Sequence, residues 1–498
     1  MQVVWLKRDL RLHNHRPLVA AAKSGEPVVC LYVYEPELWN QPDADARHLQ
    51  FINQSLTELR DALQSIGGTL LLRYMPIRDA LTELHQTQPI SRLLAHEETG
   101  TLWTFERDKS VARWCRENAV VFKEYPQNGV VRPLKSRDGW AQLWHVRMNE
   151  PIHSAPTQLR TVSHFETGCL TTADELGLSP VPSPDRIQRG GEAKAQDLLK
   201  SFLRERGQQY HRKMSSPLTA WDSCSRLSTH LAWGTISVSQ VYDAVQRRIL
   251  DIRRSRMTDS AKRKNWLDAL KAYGERLHWH CHFMQKLEDQ PDLENVNMLR
   301  ACDGLRPDVP DTEKFNAWKD GTTGYPLVDA CMRSVRETGW LTFRMRAMVV
   351  SFASYHLWLD WRPTSQHLAR MFTDYEPGIH YNQFQMQSGT TGISSLRIYN
   401  PIKQVHDQDS DGTYIREWVP ELKNVPSEHI AEPHRMTLEQ QERAGCIIGT
   451  DYPSPIVEHT KAYAAAQTRM KRIRRETESR REAKSVFRKH GSRRRGRR

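Results

Sequence analysis

Short apolar, β-branched runs alternate with amphipathic stretches from Val3 to about Tyr125, a pattern that predicts a parallel sheet covered by helices. Strands are expected over residues 3–5, 27–34 and 69–74 and near Leu93. Between the second and third, Leu49, Ile52, Leu56, Leu59, Leu63 and Ile66 step by three and four, which predicts a helix over 45–66 stopped by Gly67 and Gly68. From about Pro126 to Gly191 the period is lost among Pro, Ser, Gly and Thr, as in a connector crossing a surface. Helical spacing returns at Glu192 and holds to the tail. The expected fold class is therefore α/β: a Rossmann-like parallel-sheet domain over 1–130, a connector over 131–191, an all-α domain over 192–460 and a basic tail over 461–498.

Charge changes this picture only at the end of the chain. Residues 461–498 hold 16 of the 72 Lys and Arg and 3 of the 59 acids, which leaves 56 basic and 56 acidic side chains in the preceding 460 residues. The tail reads as a frayed helix followed by a disordered arm, holding a polyanion through counterion release or serving as a solvated solubility tail. No apolar run reaches membrane-spanning length, and Met1 leads straight into an apolar strand, so a soluble, cytoplasmic protein is expected. The eight cysteines are scattered without a Cys-x-x-Cys pair, which predicts reduced thiols and neither zinc nor an iron–sulfur cluster. His278, His280 and His282 suggest a metal, but the stripe Leu270, Tyr273, Leu277, Cys281 and Met284 makes their segment helical. Positions two apart on a helix diverge by about 200°, so no metal is expected. No GxGxxG follows the first strand, and the sheet is not expected to hold a pyrophosphate in the usual dinucleotide manner.

The densest chemistry lies between Gly339 and Pro401. Met345, Met348, Phe352, Tyr355 and Leu359 keep helical spacing, yet Arg344 and Arg346 share a turn with them and require anionic partners. Asp374 follows in a stretch rich in Gly, Thr, Gln and Asn, suited to hydrogen-bonding a flat polar ring system. The blocks GW(x)₃R(x)R, DWR and RIYNP in this stretch, SRLS at 225–228, TGYPLVDACM at 323–332 and WLKRDLRL at 5–12 stand in the order and spacing of one family. On them the chain resembles the photolyase and cryptochrome flavoproteins from about Val3 to about Ala466.

The resemblance implies a non-covalent FAD held by the all-α domain. Ser225, Arg226, Leu227 and Ser228, after Cys224, would cradle its diphosphate at a helix start, with Tyr210 beside them, because orphan N–H groups and the helix dipole favour anions there. A plain helix N-cap is the other reading of this block. Tyr273, Arg276, His280, Phe343, Arg344, Arg346, Phe372, Thr373, Asp374 and Gly378 complete the implied flavin wall. Trp279 matches the tryptophan against which damaged pyrimidines stack, with His280, Arg344 and Met345 also toward DNA. Catalytic roles fall to Trp279, Arg276 and Trp361, the last as the middle member of the family's three-tryptophan photoreduction chain. The flavin-proximal and distal positions of that chain read Asn382 and Asp308. Trp358, Tyr381 and Tyr399 are the nearest aromatic candidates for a rerouted path, or ordinary packing residues.

Several positions depart from the family's repair pattern. Arg276 stands where lesion-repairing relatives have a glutamate, and His280 where they have an arginine. Phe343 replaces an asparagine, Phe372 an aspartate, and Gly378 stands where an asparagine or aspartate faces the reactive ring nitrogen, a position that tunes protonation and redox state. The implied function is repair of pyrimidine photolesions in DNA by electron transfer from excited reduced FAD, a DNA-photolyase-type lyase activity. The alternative is a cryptochrome-type blue-light receptor without repair. Damaged DNA is the expected partner and a monomer the expected state. The sheet domain of this family hosts an optional second, antenna chromophore of folate or flavin type. Glu106 falls where folate-binding relatives place a carboxylate, but with Phe105 in place of their asparagine the favoured reading is a helix-surface glutamate.

Overall fold

The computed structural model describes residues 1–162, 164–255 and 258–492, and the chain divides into two compact units. One comprises Met1–Gln208, Ser225–Asp292 and Thr373–Gly378; the other comprises Gln209–Cys224, Leu293–Phe372 and Ile379–Arg498.

In the first unit five parallel strands form one sheet: β1 (Gln2–Leu6), β2 (Val28–Tyr34), β3 (Leu70–Tyr74), β4 (Arg92–His96) and β5 (Val121–Tyr125). Their order is β3-β2-β1-β4-β5. β1 is central because every residue of QVVWL is buried, with Val4 in register with Cys30 on one side and Leu94 on the other. The sequence pattern missed β5, because VFKEY is a half-covered edge strand whose Lys123 and Glu124 dilute the apolar signal. The helix expected over 45–66 is Ala46–Ser65, capped by the Asp45 carboxylate, which accepts from Arg47 N at 3.0 Å. Leu49, Ile52, Leu56, Leu59 and Leu63 are buried in one cluster with Val4, Cys30 and Leu72, each side chain contributing about 1.5–3 kcal/mol of apolar burial.

Residues 131–191 do more than cross a surface. Arg160 O and Thr167 O accept from Val28 N and Leu72 N, both at 2.7 Å, so this segment is stitched along the sheet. Trp140 and Trp144, on helix Trp140–Met148, are buried with ring centroids 5.0 and 4.9 Å from His278. The helices Glu192–Arg204, Val238–Arg254 and Ser260–Asp289 also belong to the first unit, so the units divide the chain differently from the boundaries expected at 131 and 192. Beyond the sheet the described residues hold helices and one isolated bridge, Ile448 to Tyr452. The α/β class, an N-terminal parallel sheet followed by helices, is the observed one.

In the second unit the motif residues punctuate helices. Gly339 closes Pro326–Thr338 at φ 69°. Thr342, Asp360 and Asn400 cap Phe343–Ser351, Trp361–Met371 and Pro401–Gln408 by accepting from Met345 N, Arg362 N and Lys403 N. Asp329 of TGYPLVDACM is fully buried and accepts from Thr323 N, Thr323 Oγ1, Gly324 N and the Tyr452 hydroxyl at 2.8, 2.6, 3.1 and 2.6 Å.

The tail departs most from expectation. His459–Arg475 and Thr477–His490 are two helices in place of a frayed helix and an arm, with Ala466, Met470, Ile473 and Val486 buried. The Glu482 carboxylate accepts from the backbone N–H groups of Arg300 and Ala301 at 2.7 and 3.0 Å. The apolar residues of this stretch are few and spaced by three and four among many cations, which hides their stripe in the composition. Residues 493–498, the RRRGRR end, lie outside the described residues. Among the described residues no helix is long and apolar enough to cross a membrane.

Candidate functional site

In the first unit the 30-residue helix Ser260–Asp289, capped by Asp259, carries Tyr273, Arg276, Trp279 and His280. Steps of three and four put Arg276, Trp279, Phe283 and Lys286 on one face. Trp279 is half-buried and stacks on Phe283, centroids 5.8 Å apart at 30°, with His282 edge-on at 5.0 Å. Lys286 Nζ stands 5.2 Å from the Phe283 ring centroid, and burial, then Arg137, pushes its amine down to about 7. The face is an aromatic ledge with the buried Lys286 amine at one end and Arg276, exposed, at the other. Sequence reasoning missed Phe283 and Lys286, although their spacing from Trp279 was a legible signal. Tyr273 is buried 4.7 Å from the Phe202 ring, and burial pushes the His280 imidazole down to about 4. The three histidines of HWHCH have different neighbours: His278 meets Trp140 and Trp144, His280 Nδ1 lies 3.9 Å from Cys281 Sγ, and His282 Nδ1 lies 2.5 Å from Arg137 Nη2.

The 225–228 block behaves largely as a turn. Ser225, Arg226 and Leu227 are buried, and exposed Ser228 begins the short helix Ser228–Ala232. Ser225 Oγ accepts from Leu227 N at 3.3 Å, and Arg226 holds a left-handed φ of 61°, strain that a side chain with a Cβ adopts only where its surroundings enforce it. Thr373 and Asp374 are buried; Thr373 O accepts from Trp233 Nε1 at 2.8 Å, and Thr373 Oγ1 is buried without a partner. Gly378 packs on the long helix so closely that a Cβ would lie 2.7 Å from Met284 Cα.

In the second unit Phe343, Arg344 and Arg346 open helix Phe343–Ser351. The Arg346 guanidinium lies 3.9 Å from the centroid of buried Phe372, and its Nε donates to Leu341 O at 2.9 Å. Arg344 Nε is buried without a partner. Phe343 is 49 % exposed, whereas Met345, expected toward DNA, is 0 % exposed and belongs to the packed side of its helix. Tyr210 is buried at the start of Tyr210–Lys213, and Cys224 is half-buried just past Pro217–Ser223. Trp361 is fully buried and donates to Asn297 Oδ1 at 2.8 Å, with the Tyr381 ring 6.4 Å away. Asn382 is buried, Asp308 is exposed, and Trp358 has Arg306 and Arg469 over its ring at 4.7 and 4.6 Å. Gln383 escaped the sequence reading: both its amide atoms are buried without partners, whereas Gln385 in the same polar run bonds Met298 N, Leu293 O and Val296 O.

Two family models match the chain, DNA photolyase over residues 2–141 and the FAD binding domain of DNA photolyase over residues 273–472. The chain belongs to the photolyase and cryptochrome family. The deoxyribodipyrimidine photo-lyase of Alkalihalophilus pseudofirmus is 26% identical over 487 residues, spanning 93% of this chain and 96% of its own. The cryptochrome DASH of Gloeobacter violaceus is 27% identical over 489 residues, spanning 93% and 94%. A bacterial class III photolyase from Agrobacterium tumefaciens superposes with a TM-score of 0.83 at 25% identity, covering 95% of this chain and 98% of that one. Relatives of both names stand at similar distance, so similarity alone decides between neither repair nor light sensing.

The photolyase-type sheet unit has its own cleft at the carboxyl ends of β1, β2 and β4, lined by Lys7, Tyr32, Glu35, Trp39, Glu98 and Arg107. Arg107 bridges Glu35, Glu98 and Asp108 at 3.1, 2.6 and 2.9 Å, and burial, opposed by Arg107, still pushes the Glu35 carboxyl up to about 7. Glu106 is absent from this lining; its side chain is 59% exposed and paired with Lys109 at 2.8 Å, the surface reading. A buried cluster also escaped the sequence: Asp9 Oδ2 lies 2.9 Å from His15 Nε2 and 2.7 Å from His96 Nδ1, both within hydrogen-bond distance.

Glu376 provides a pH test of this unit. It is buried, its Oε1 has no partner, and Arg8 Nη1 is 3.9 Å from Oε2. Burial pushes its carboxyl up to about 7, opposed by Arg8 and reinforced by Glu98. A raised folded-state value means the contribution to stability is full below the unfolded value and is lost as pH rises through about 7. Glu376→Gln is therefore expected to gain about 2–3 kcal/mol on wild type between pH ~5 and ~8, read from urea midpoints. An offset constant across that range would show that Glu376 is not a protonated acid in the folded protein.

Proposed function

We propose that the protein is a light-driven, FAD-dependent enzyme that repairs pyrimidine photolesions in DNA. The Trp279–Phe283 ledge carries this reading: two stacked rings on one helix face offer a platform for unstacked pyrimidines, and exposed Arg276 supplies a cation for their phosphates and for charge added to the lesion. A bound ligand in the matched FAD-binding region fits the residues present, since Arg344 Nε and both amide atoms of Gln383 are buried polar groups whose bonds are unmade. FAD, when bound and reduced, supplies the light-driven electron donor. In this reading Trp361, buried and donating to Asn297, serves as the electron relay, and an antenna chromophore would bind in the cleft above the sheet.

Illuminating the reduced protein with a thymine-dimer oligonucleotide is expected to regenerate thymines over many turnovers. Trp279→Ala should weaken substrate binding about tenfold to a hundredfold, since stacking contributes about 1–3 kcal/mol per base. No lesion loss on either major photoproduct, with flavin retained and fully reduced, would replace this reading by cryptochrome-type light sensing.

A further inference from the structure

We propose that the two C-terminal helices form a folded cationic face that docks on the phosphates of nucleic acid, through contacts that need neither a lesion nor the flavin. On a helix of about 100° per residue, Ala466, Met470 and Ile473 share one edge of His459–Arg475 and are buried, while Lys471, Arg472 and Arg475 project from the other side and are exposed. Thr477–His490 repeats the arrangement, burying Ser479, Val486 and His490 and exposing Arg480 and Lys484. None of these five cations takes part in an ion pair among the described residues. The nearby acids are used elsewhere: Glu478 by Arg481 at 2.9 Å, and Glu482 by the backbone of Arg300 and Ala301.

The placement argues against a solubility tail, which needs charge but no fold. Arg469 over Trp358 at 4.6 Å and Arg474 Nη2 donating to Ser394 O at 3.0 Å turn inward as anchors, leaving the other cations fixed outward. The preceding 460 residues are balanced in charge, so residues 461–498 carry the +13, and five of their sixteen Lys and Arg belong to the 493–498 end rather than to these helices. A lipid surface is the poorer partner, because an interfacial helix inserts its apolar side and here that side is already spent on the protein, with Phe487 the one large apolar side chain left half-exposed on these helices. Helix His459–Arg475 is about 25 Å long, a span over which a duplex presents about 15 phosphate charges.

The test is titration of the full chain, in the dark, with a short undamaged duplex against salt, so that failure of the repair reading would not affect the result. Replacing Arg472, Arg475, Arg480 and Lys484 together with Gln is expected to weaken binding about tenfold at low salt and to flatten the slope of log K against log salt by about 0.9 for each phosphate no longer neutralised. Unchanged affinity and slope would overturn the proposal, as would tighter binding to phosphatidylserine vesicles than to the duplex. Met470→Ser with Ile473→Ser keeps every charge but removes the anchor. A comparable loss of duplex binding is expected; undiminished binding would mean a loose charged arm and would also overturn the folded face.

Discussion

Asp329→Ala is expected to lower stability by about 3–5 kcal/mol, the second unit losing its most heavily used buried acceptor. The carboxylate is 0 % exposed and receives four donors, three from Thr323 and Gly324 and one from Tyr452, which lies 123 residues away in sequence. Removing it strands two backbone N–H groups and two hydroxyls in a dry interior, each costing about 1–3 kcal/mol less whatever relaxation or water recovers. Burial raises the Asp329 carboxyl's pKa and the Thr323 and Tyr452 bonds oppose that shift, so the donors are what keep a carboxylate tolerable there. Asp329→Asn, which offers a donor where acceptors are needed, should fall between the two. The check is the denaturant midpoint at constant slope; a loss under about 1 kcal/mol would remove Asp329 from its place as the hub of this region.

Gly378→Asn is expected to destabilise the protein by about 2–3 kcal/mol and not to restore a flavin-tuning group. A Cβ at 378 would meet Met284 Cα at 2.7 Å and Met284 Cγ and Cβ at 3.2 and 3.3 Å. The nearest obstacle is backbone inside a helix, which cannot swing aside as a side chain would. If glycine were merely a lost asparagine, the substitution would leave thermal unfolding unchanged while shifting the flavin's redox behaviour. Both quantities can be read on one sample, from unfolding and from flavin absorbance.

The family was legible in the sequence because its motif blocks are local devices with strong residue preferences. Thr342, Asp360 and Asn400 are helix caps and Gly339 a left-handed helix stop, and such roles tolerate few residue types wherever they occur. The stripe that predicted Ala46–Ser65 is local in the same sense. The candidate site was partly legible: Trp279, Trp361, Arg344 and Arg346 were named from the resemblance, whereas Phe283 beside Trp279 and the unbonded amide of Gln383 were not, and Met345 was expected toward DNA though it is buried.

The sequence by itself determined the parallel sheet's first four strands, the long sheet-domain helix, the helical remainder and the family, since periodicity, capping and motif spacing are properties of neighbours along the chain. Tertiary structure alone decided that β5 closes the sheet edge, that Trp140 and Trp144 anchor the connector, that a Cβ at Gly378 would meet Met284, that Gln383 and not Gln385 is spare, and that Arg472, Arg475, Arg480 and Lys484 lie exposed on two folded helices. Each of these depends on which distant residue lies opposite, and burial, hydrogen-bond satisfaction and charge exposure are set by that partner, which no local pattern encodes.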